Sequence, residues 1–368
     1  TLHLKSDAYD YLLDDKIKQI ILAYSDHIAA PIYVGEEDKP VNAASALWMR
    51  PKNEITSEQY TEFYHHIGHV FDEPLLTSHW RAEGKIEYTA LLFIPTMRPW
   101  DLYDPGRKHA VRLYVKRVFI TDQAQNLVYP WLRFVRGIID SEDLPLNISR
   151  EMLQNNPVVA RIRSGVTKRI LSDLAALADR DEAAFETFWY QFGMVVKEGL
   201  YDAIEHRDDI FRICRFFSSN ANRKLTSLDS YIERMKGGQD EIYYITGEKL
   251  ESIERSPQIE GFKSRGLEVL FLADTIDSFW VQQIGDYKGK KFVSVTKGSI
   301  DLDKFKSEKE DEEPQEKSET SMTTLLGVLS DELKKDIREV HVSKRLSDSP
   351  VCLIADETGV DMHMERVL

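Results

Sequence analysis

Between Glu241 and Lys297 the chain alternates two kinds of periodicity. Strand-like runs at Ile242–Thr246, Leu267–Ala273 and Lys291–Thr296 are separated by helix-like stretches over Glu248–Arg265 and about Ile276–Gly285. Strands joined through helices run parallel and need cover on their faces, so this order predicts a small parallel α/β unit. Its glycines form no phosphate-cradling fingerprint. The whole chain lacks both the G-x-x-x-x-G-K-[ST] loop and the G-x-G-x-x-G turn.

Upstream the elements are mixed. Thr1–Leu4 reads as a short strand, and Leu12, Leu13, Ile17, Ile20 and Ile21 recur at helical spacing between Tyr9 and Tyr24. Ile32–Val34 reads as strand and Glu36–Asn42 as a polar loop. Thr56-Ser57-Glu58-Gln59 is a capping box, opening a helix expected to run to about Val70. That helix carries His65, His66 and His69. The i, i+4 pair has zincin spacing but no accompanying Glu, so no metal is expected. Lys85–Ile94 and Ala110–Ile120 are strand-like, joined by Pro95–His109. This connection holds Met97, Pro99, Trp100, Leu102, Tyr103 and Pro105, an apolar content unusual for a loop. It either folds back on the core or offers an amphipathic surface to a partner. Two long helices follow. One has Pro157 in its first turn and an apolar face of Val159, Ile162, Val166, Ile170, Leu174 and Leu177. The other carries Phe185, Phe188, Trp189, Phe192 and Val196, and both stripes read as core.

Asp301–Thr320 is the clearest break in composition, with nine acids against four bases and a local net charge of −5. It reads as a solvated connector without chemistry. A helix over Met322–Ile337, strands at Val340–Ser343 and Pro350–Ile354 and an amphipathic helix from near Gly359 are expected beyond it. The net charge of −14 argues against a general nucleic-acid binder, which would need a basic face. Cys214 and Cys352 are too few and too distant for a disulfide framework, which points to a reducing, cytoplasmic compartment. No apolar run approaches a membrane span. The chain begins at Thr and without a signal-peptide layout, and is expected to be a piece of a longer protein.

The stretch with the most chemistry is Asp140–Gln154, DSEDLPLNISREMLQ. Pro145 blocks a preceding helix and Ser149 is placed to cap a following one. Arg150 and Gln154 would then share a face, one turn apart. An Arg so placed suits an anionic group supplied from outside, since its planar fork matches phosphate oxygens. The plainer reading pairs Arg150 with Asp140, Glu142 or Asp143 and locks a loop.

LPLNISREMLQ resembles the catalytic loop in the middle domain of the heat-shock protein 90 chaperones. YSDHIAAPIYV, ALWMR, LLFIPTMRPWDLY, RLYVKRVFITD, WLRFVRGIIDSED, KLTSLDSYIERM, IYYITGEKLESIERSP and EVLFLADTIDSF resemble that family in the same order, its bacterial HtpG type most. The resemblance implies an α/β (α+β) chain: an α/β/α layered middle domain like domain 2 of ribosomal protein S5, then a truncated α+β C-terminal domain. It divides residues into 1–24, a remnant of the N-terminal domain with its entry helix, 25–297, the middle domain, 298–320, an acidic connector, and 321–368, a partial C-terminal domain. The middle domain comprises a large α/β part (25–150), a helical connector (151–240) and the small α/β unit (241–297). It also implies that Arg150 reaches the γ-phosphate of ATP, with Mg, held by an N-terminal ATPase domain outside this chain. Gln154 assists and Asn147 braces the loop. Trp48 and Phe279 match positions that touch client proteins, and Trp100 and Trp280 are joined to them as candidates. Full-length relatives of this kind are homodimers, whose dimer helices this chain is expected to lack. The competing expectations are the transducer region of a related DNA-acting ATPase and a passive interaction scaffold.

Overall fold

The computed structural model describes residues 3–68, 70–104, 107, 110–122, 126–146, 152–153, 155–220, 224–297, 300–305, 319–343 and 345–355. They form two compact units, Thr1–Ile213 and Cys214–Leu368, divided within the stretch read as a helical connector.

In the first unit the expected helix over Tyr9–Tyr24 is broken. A 3-10 turn spans Ser6–Leu12, Leu13 is extended, and α1 runs Asp14–Tyr24. Asp14 and Asp15 explain the restart, because carboxylates favour the positive end of a helix. His3–Lys5 and Ile32–Val34 are not strands. At Ile32 the side chain of Asn42 takes the place of a neighbouring strand, accepting from Ile32 N at 2.8 Å, while Ile32 O accepts from Val41 N at 2.8 Å. Helix α2, Ser57–Gly68, opens on the expected box. Gln59 N donates to Thr56 Oγ1 at 3.3 Å and Thr56 N to Gln59 Oε1 at 3.1 Å.

A five-stranded sheet is built from β1 (Pro74–Ala82), β2 (Tyr88–Pro95), β3 (Val111–Val115), β4 (Val118–Thr121) and β5 (Arg136–Ser141), in the order β1-β2-β5-β3-β4. β3 and β5 pair parallel and the other neighbours antiparallel. The run Ala110–Ile120 is therefore a hairpin and not one strand. Its turn holds Lys116 and Arg117 at φ +50° and +67°, where side chains are uncommon. β2 is buried along its whole length. Gly137 lets β5 approach it, since a Cβ there would lie 2.2 Å from Leu91 O.

Side chains of β2 alternate between two covered faces. Leu91 and Phe93 pack with Trp48, Tyr64 and Ile67 on the α2 side. On the other side lies α3, Pro157–Arg180, where Asp173 accepts from Ser78 Oγ and the Arg169 guanidinium sits 5.6 Å from the Trp80 ring. Helices α4 (Glu182–Asp202) and α5 (Arg207–Ile213) complete this layer. Phe188 and Phe192 of α4 close on Phe134 at 5.6 and 4.7 Å between ring centres. The α/β/α layering and both apolar helix stripes thus stand as expected.

The second unit has its own sheet, in the order β6-β8-β7-β10-β9. Its strands are β6 (Phe217–Ser218), β7 (Glu241–Thr246), β8 (Leu270–Leu272), β9 (Asp286–Tyr287) and β10 (Lys290–Ser294). β7 lies parallel to β8 and β10, which is the expected parallel core, and β6 and β9 add antiparallel edges. Helices α6 (Leu228–Glu233), α7 (Leu250–Glu254), α8 (Glu260–Lys263) and α9 (Asp277–Gln283) surround it. The helix expected over Glu248–Arg265 is split into α7, a 3-10 turn at Pro257–Ile259 and α8, because Pro257 has no N–H for the ladder.

After the acidic stretch, whose residues 306–318 lie outside the described ones, α10 runs Glu319–Leu333. Among the described residues, the strands expected at Val340–Ser343 and Pro350–Ile354 do not form. The helix expected from Gly359 lies outside the described residues. Side chains hold most of the 345–355 segment, which ends in a single parallel bridge of Ala355 to Lys297. Arg345 donates to the carbonyls of Val295 at 3.1 Å, Lys297 at 2.7 Å and Ile300 at 3.3 Å. Glu260 accepts from the amides of Ser347, Asp348 and Ser349 at 3.0, 3.1 and 3.2 Å. The Ser349 hydroxyl and these amides hold the Glu260 carboxyl down to about 2, from an ordinary 4.5. A carboxylate with a depressed folded-state pKa stabilises fully above the unfolded value and loses that effect as pH falls through the folded one. The strap is therefore expected to be secure above about pH 4.5 and to release as pH falls towards 2. A carboxyl-carbon NMR titration of Glu260 should give a midpoint near 2, and a midpoint near 4.5 would remove the strap's anchor.

Candidate functional site

The segment read as a catalytic loop hangs from the end of β5 and leads into α3. On the entry side Asp140 is buried, and its carboxylate accepts from Trp48 Nε1 at 2.8 Å and Arg117 N at 3.1 Å. Burial raises its pKa, against which these two donors favour the ionised form. Ser141 Oγ accepts from Asp143 N at 3.3 Å and Leu144 N at 3.2 Å, which folds the chain into a turn. Asp143 Oδ2 accepts from Glu87 N at 2.6 Å. The carboxylate cluster thus braces backbone, with Asp140 and Asp143 both engaged by amides.

On the exit side Leu153 is buried while Met152 is half exposed. Asn156 caps α3, accepting from Val158 N at 2.8 Å, and Pro157 takes the first helical position as expected. Asn147, Ser149, Arg150 and Gln154 lie outside the described residues. Beside the exit lies a cleft of about 240 Å³ lined in part by Asn126, Asn155, Asn156 and Arg163. It is smaller than the roughly 300–1,000 Å³ of small-molecule sites. The Arg163 guanidinium lies 4.5 Å from the centre of the Tyr129 ring.

The four aromatic candidates divide. Trp48 is interior, ringed by His27, Phe63 and Tyr114 and bonded to Asp140. Trp280 is interior too, donating from Nε1 to Asp277 Oδ1 at 2.7 Å between Phe216 and Phe292. Each indole N–H is satisfied by a carboxylate within its own unit, so as folded neither side chain offers a surface. Phe279, next to Trp280 on α9, is 38% exposed. Trp100 is 94% exposed, with Met97 also outward, whereas Leu102 of the same loop is fully buried. Within this loop Leu102 thus folds back on the core, while Met97 and Trp100 stay outside it. Phe71, which the sequence pattern does not single out, is 96% exposed. Its signal is an aromatic in the polar turn F-D-E-P between a helix and a strand. Asp72 links it to the Trp100 loop, accepting from Thr96 N at 3.1 Å and Met97 N at 3.4 Å.

His65 Nε2 lies 2.9 Å from Asp72 O, and His69 lies outside the described residues. Among the described residues no cluster of His, Cys, Asp or Glu is arranged to hold a metal. Nor is any described helix long and apolar enough to cross a membrane. Cys214 and Cys352 are not joined in a disulfide.

A layered α/β unit and a second small parallel unit define a class of multi-domain α/β protein. The family model described as Hsp90 protein matches residues 34–368, and the chain belongs to that family. It is 48% identical to the chaperone protein HtpG of Paramagnetospirillum magneticum, over all of this chain and 60% of that one. It is 47% identical to HtpG of Rhodospirillum rubrum, with the same two shares covered. The chain thus spans about 60% of the length of these curated relatives. The middle domain of a Plasmodium falciparum putative heat shock protein superposes with a TM-score of 0.62 at 32% identity, over 69% of this chain and all of that one.

Proposed function

We propose that this chain is the client-handling and loop-donating part of a chaperone ATPase. ATP and Mg would be held by an N-terminal domain that is not in this sequence. Arg150 would meet the γ-phosphate, Gln154 would help order the loop or the attacking water, and Asn147 would brace the backbone. In this reading residues 25–297 act as the middle domain and 321–368 open a C-terminal domain through which the full-length protein dimerises, in the cytoplasm. The net charge of −14 and an Arg at the loop disfavour the DNA-acting alternative.

The observation that carries the client reading is Trp100. An indole 94% exposed on a loop whose backbone is tied from beneath is costly to solubility and useful for contact. Non-native proteins expose apolar side chains, and Trp100, Met97 and Phe71 offer large apolar faces to them. The wild-type chain is expected to slow the aggregation of a heat-denatured test enzyme, read by light scattering. Trp100→Ala with Phe71→Ala should demand about tenfold more chain for equal protection, the loss typical of truncating interface anchors. Equal protection by wild type and double variant would sink the assignment of this surface.

A further inference from the structure

The Trp100 loop is mounted on one stripe of α4. Arg98 N donates to Gln191 Oε1 at 3.3 Å. Two turns further along the same face comes Glu198. Glu198 grips Arg133 with both oxygens, Nη1 to Oε2 at 2.5 Å and Nη2 to Oε1 at 2.7 Å. Arg133 passes the hold back to the loop, donating from Nε to Leu102 O at 2.8 Å, and its guanidinium lies 5.8 Å from the Tyr103 ring centre. Its Nη1 also reaches Pro130 O at 3.0 Å. The arc from Arg98 to Leu102 is thereby fixed at both ends to a single helix. Trp100 stands at its middle, after Pro99, whose φ is locked by its ring.

We infer that Arg133, oriented by Glu198, is the positioning residue that presents Trp100 and Met97 in a fixed geometry to an apolar polypeptide segment. The inference rests on the reading of this surface proposed above. A loop ordered in advance loses less conformational entropy when a partner arrives. The residue type matters. Only a planar fork grips both carboxylate oxygens while its Nε bonds a carbonyl, and a Lys ammonium satisfies one or two of these partners at most.

The protein carries its own reporter. Of its six tryptophans, Trp48, Trp80, Trp131, Trp189 and Trp280 are buried, so iodide in solution quenches Trp100. The iodide-quenchable emission therefore isolates one indole, and its anisotropy reads the stiffness of the loop. Arg133→Met is expected to lower that anisotropy and to weaken binding of a reduced, carboxymethylated protein about five- to tenfold. Arg133→Lys should recover little of either. Trp100→Ala is the companion arm. Unchanged binding there overturns the surface reading itself. If Trp100→Ala weakens binding but Arg133→Met leaves either anisotropy or affinity unchanged, the surface stands and the positioning role is overturned. Glu198→Gln keeps the side-chain shape and weakens the grip on Arg133. Should Arg133→Met not fold, Glu198→Gln supplies the same two readouts, and an unchanged anisotropy or affinity there overturns the positioning role in the same way.

Discussion

Arg150→Ala, introduced into the full-length protein, is expected to lower ATP turnover by about 10³-fold or more while leaving ATP affinity within about threefold. The argument is electrostatic. As a phosphoryl group transfers to water, charge shifts among its oxygens, and a guanidinium delivered to that point stabilises the transition state more than bound ATP. Affinity for ATP would come from the nucleotide-binding domain, so ground-state binding should change little. The loop's mounting suits such a role. The described residues on either side of it are anchored, before it by Asp140, Ser141 and Asp143 and after it by Leu153 and the Asn156 cap. Gln154→Ala should cost less, about tenfold, because a neutral amide orients groups without supplying charge. Single-turnover hydrolysis beside equilibrium ATP binding separates the cases. A parallel fall in affinity would make Arg150 a docking residue, and unchanged turnover would return the loop to architecture.

What the residues reveal without the fold is local. The Thr56–Gln59 box, the Pro157 start of α3 and the aromatic stripe of α4 each depend on neighbours within a few turns, and each is found where its pattern puts it. The parallel pairing of β7 with β8 and β10 follows from alternation alone. β1 is hidden in the sequence because Ser78 and His79 are buried polar residues in a strand. Their partners, Asp173 for Ser78 and Tyr60 with Trp48 O for His79, come from distant helices and turns. The segment after Val340 has strand-like composition, but what holds it is mainly the side chains of Glu260 and Arg345, from outside the expected strands, which strand periodicity does not reveal. At the candidate site, neither periodicity nor spacing ranks Trp100 above Trp48. Trp48 is interior because Asp140, 92 residues away, accepts its N–H. The loop itself stands out by residue type and is assigned by resemblance.

The second large effect is expected in the other unit, from Arg234→Met. Glu268 precedes β8 with its side chain almost wholly buried, and accepts from Ser218 Oγ at 2.6 Å, Arg234 Nε at 2.9 Å and Arg234 Nη2 at 2.7 Å. Its carbonyl accepts from Tyr231 OH at 2.8 Å, and that hydroxyl accepts from Tyr243 N at 3.0 Å and Gln239 Nε2 at 3.1 Å. α6, β7 and the approach to β8 are thus joined through one carboxylate and one phenol. Removing the cation strands a buried anion, which in an enclosed site costs about 3–5 kcal/mol. The Arg234 side chain is 37% exposed, so water replaces part of its effect and about 3 kcal/mol is expected. Glu268→Gln should cost only about 1 kcal/mol, since it leaves an amide able to bond Ser218 and frees Arg234 towards solvent. The order of the two costs therefore carries the argument. Urea unfolding read through hydrogen exchange of the β7 and β8 amides measures both in the unit concerned. If Arg234→Met proved no more damaging than Glu268→Gln, the pair would be a surface ornament, and the junction would rest on Tyr231 alone.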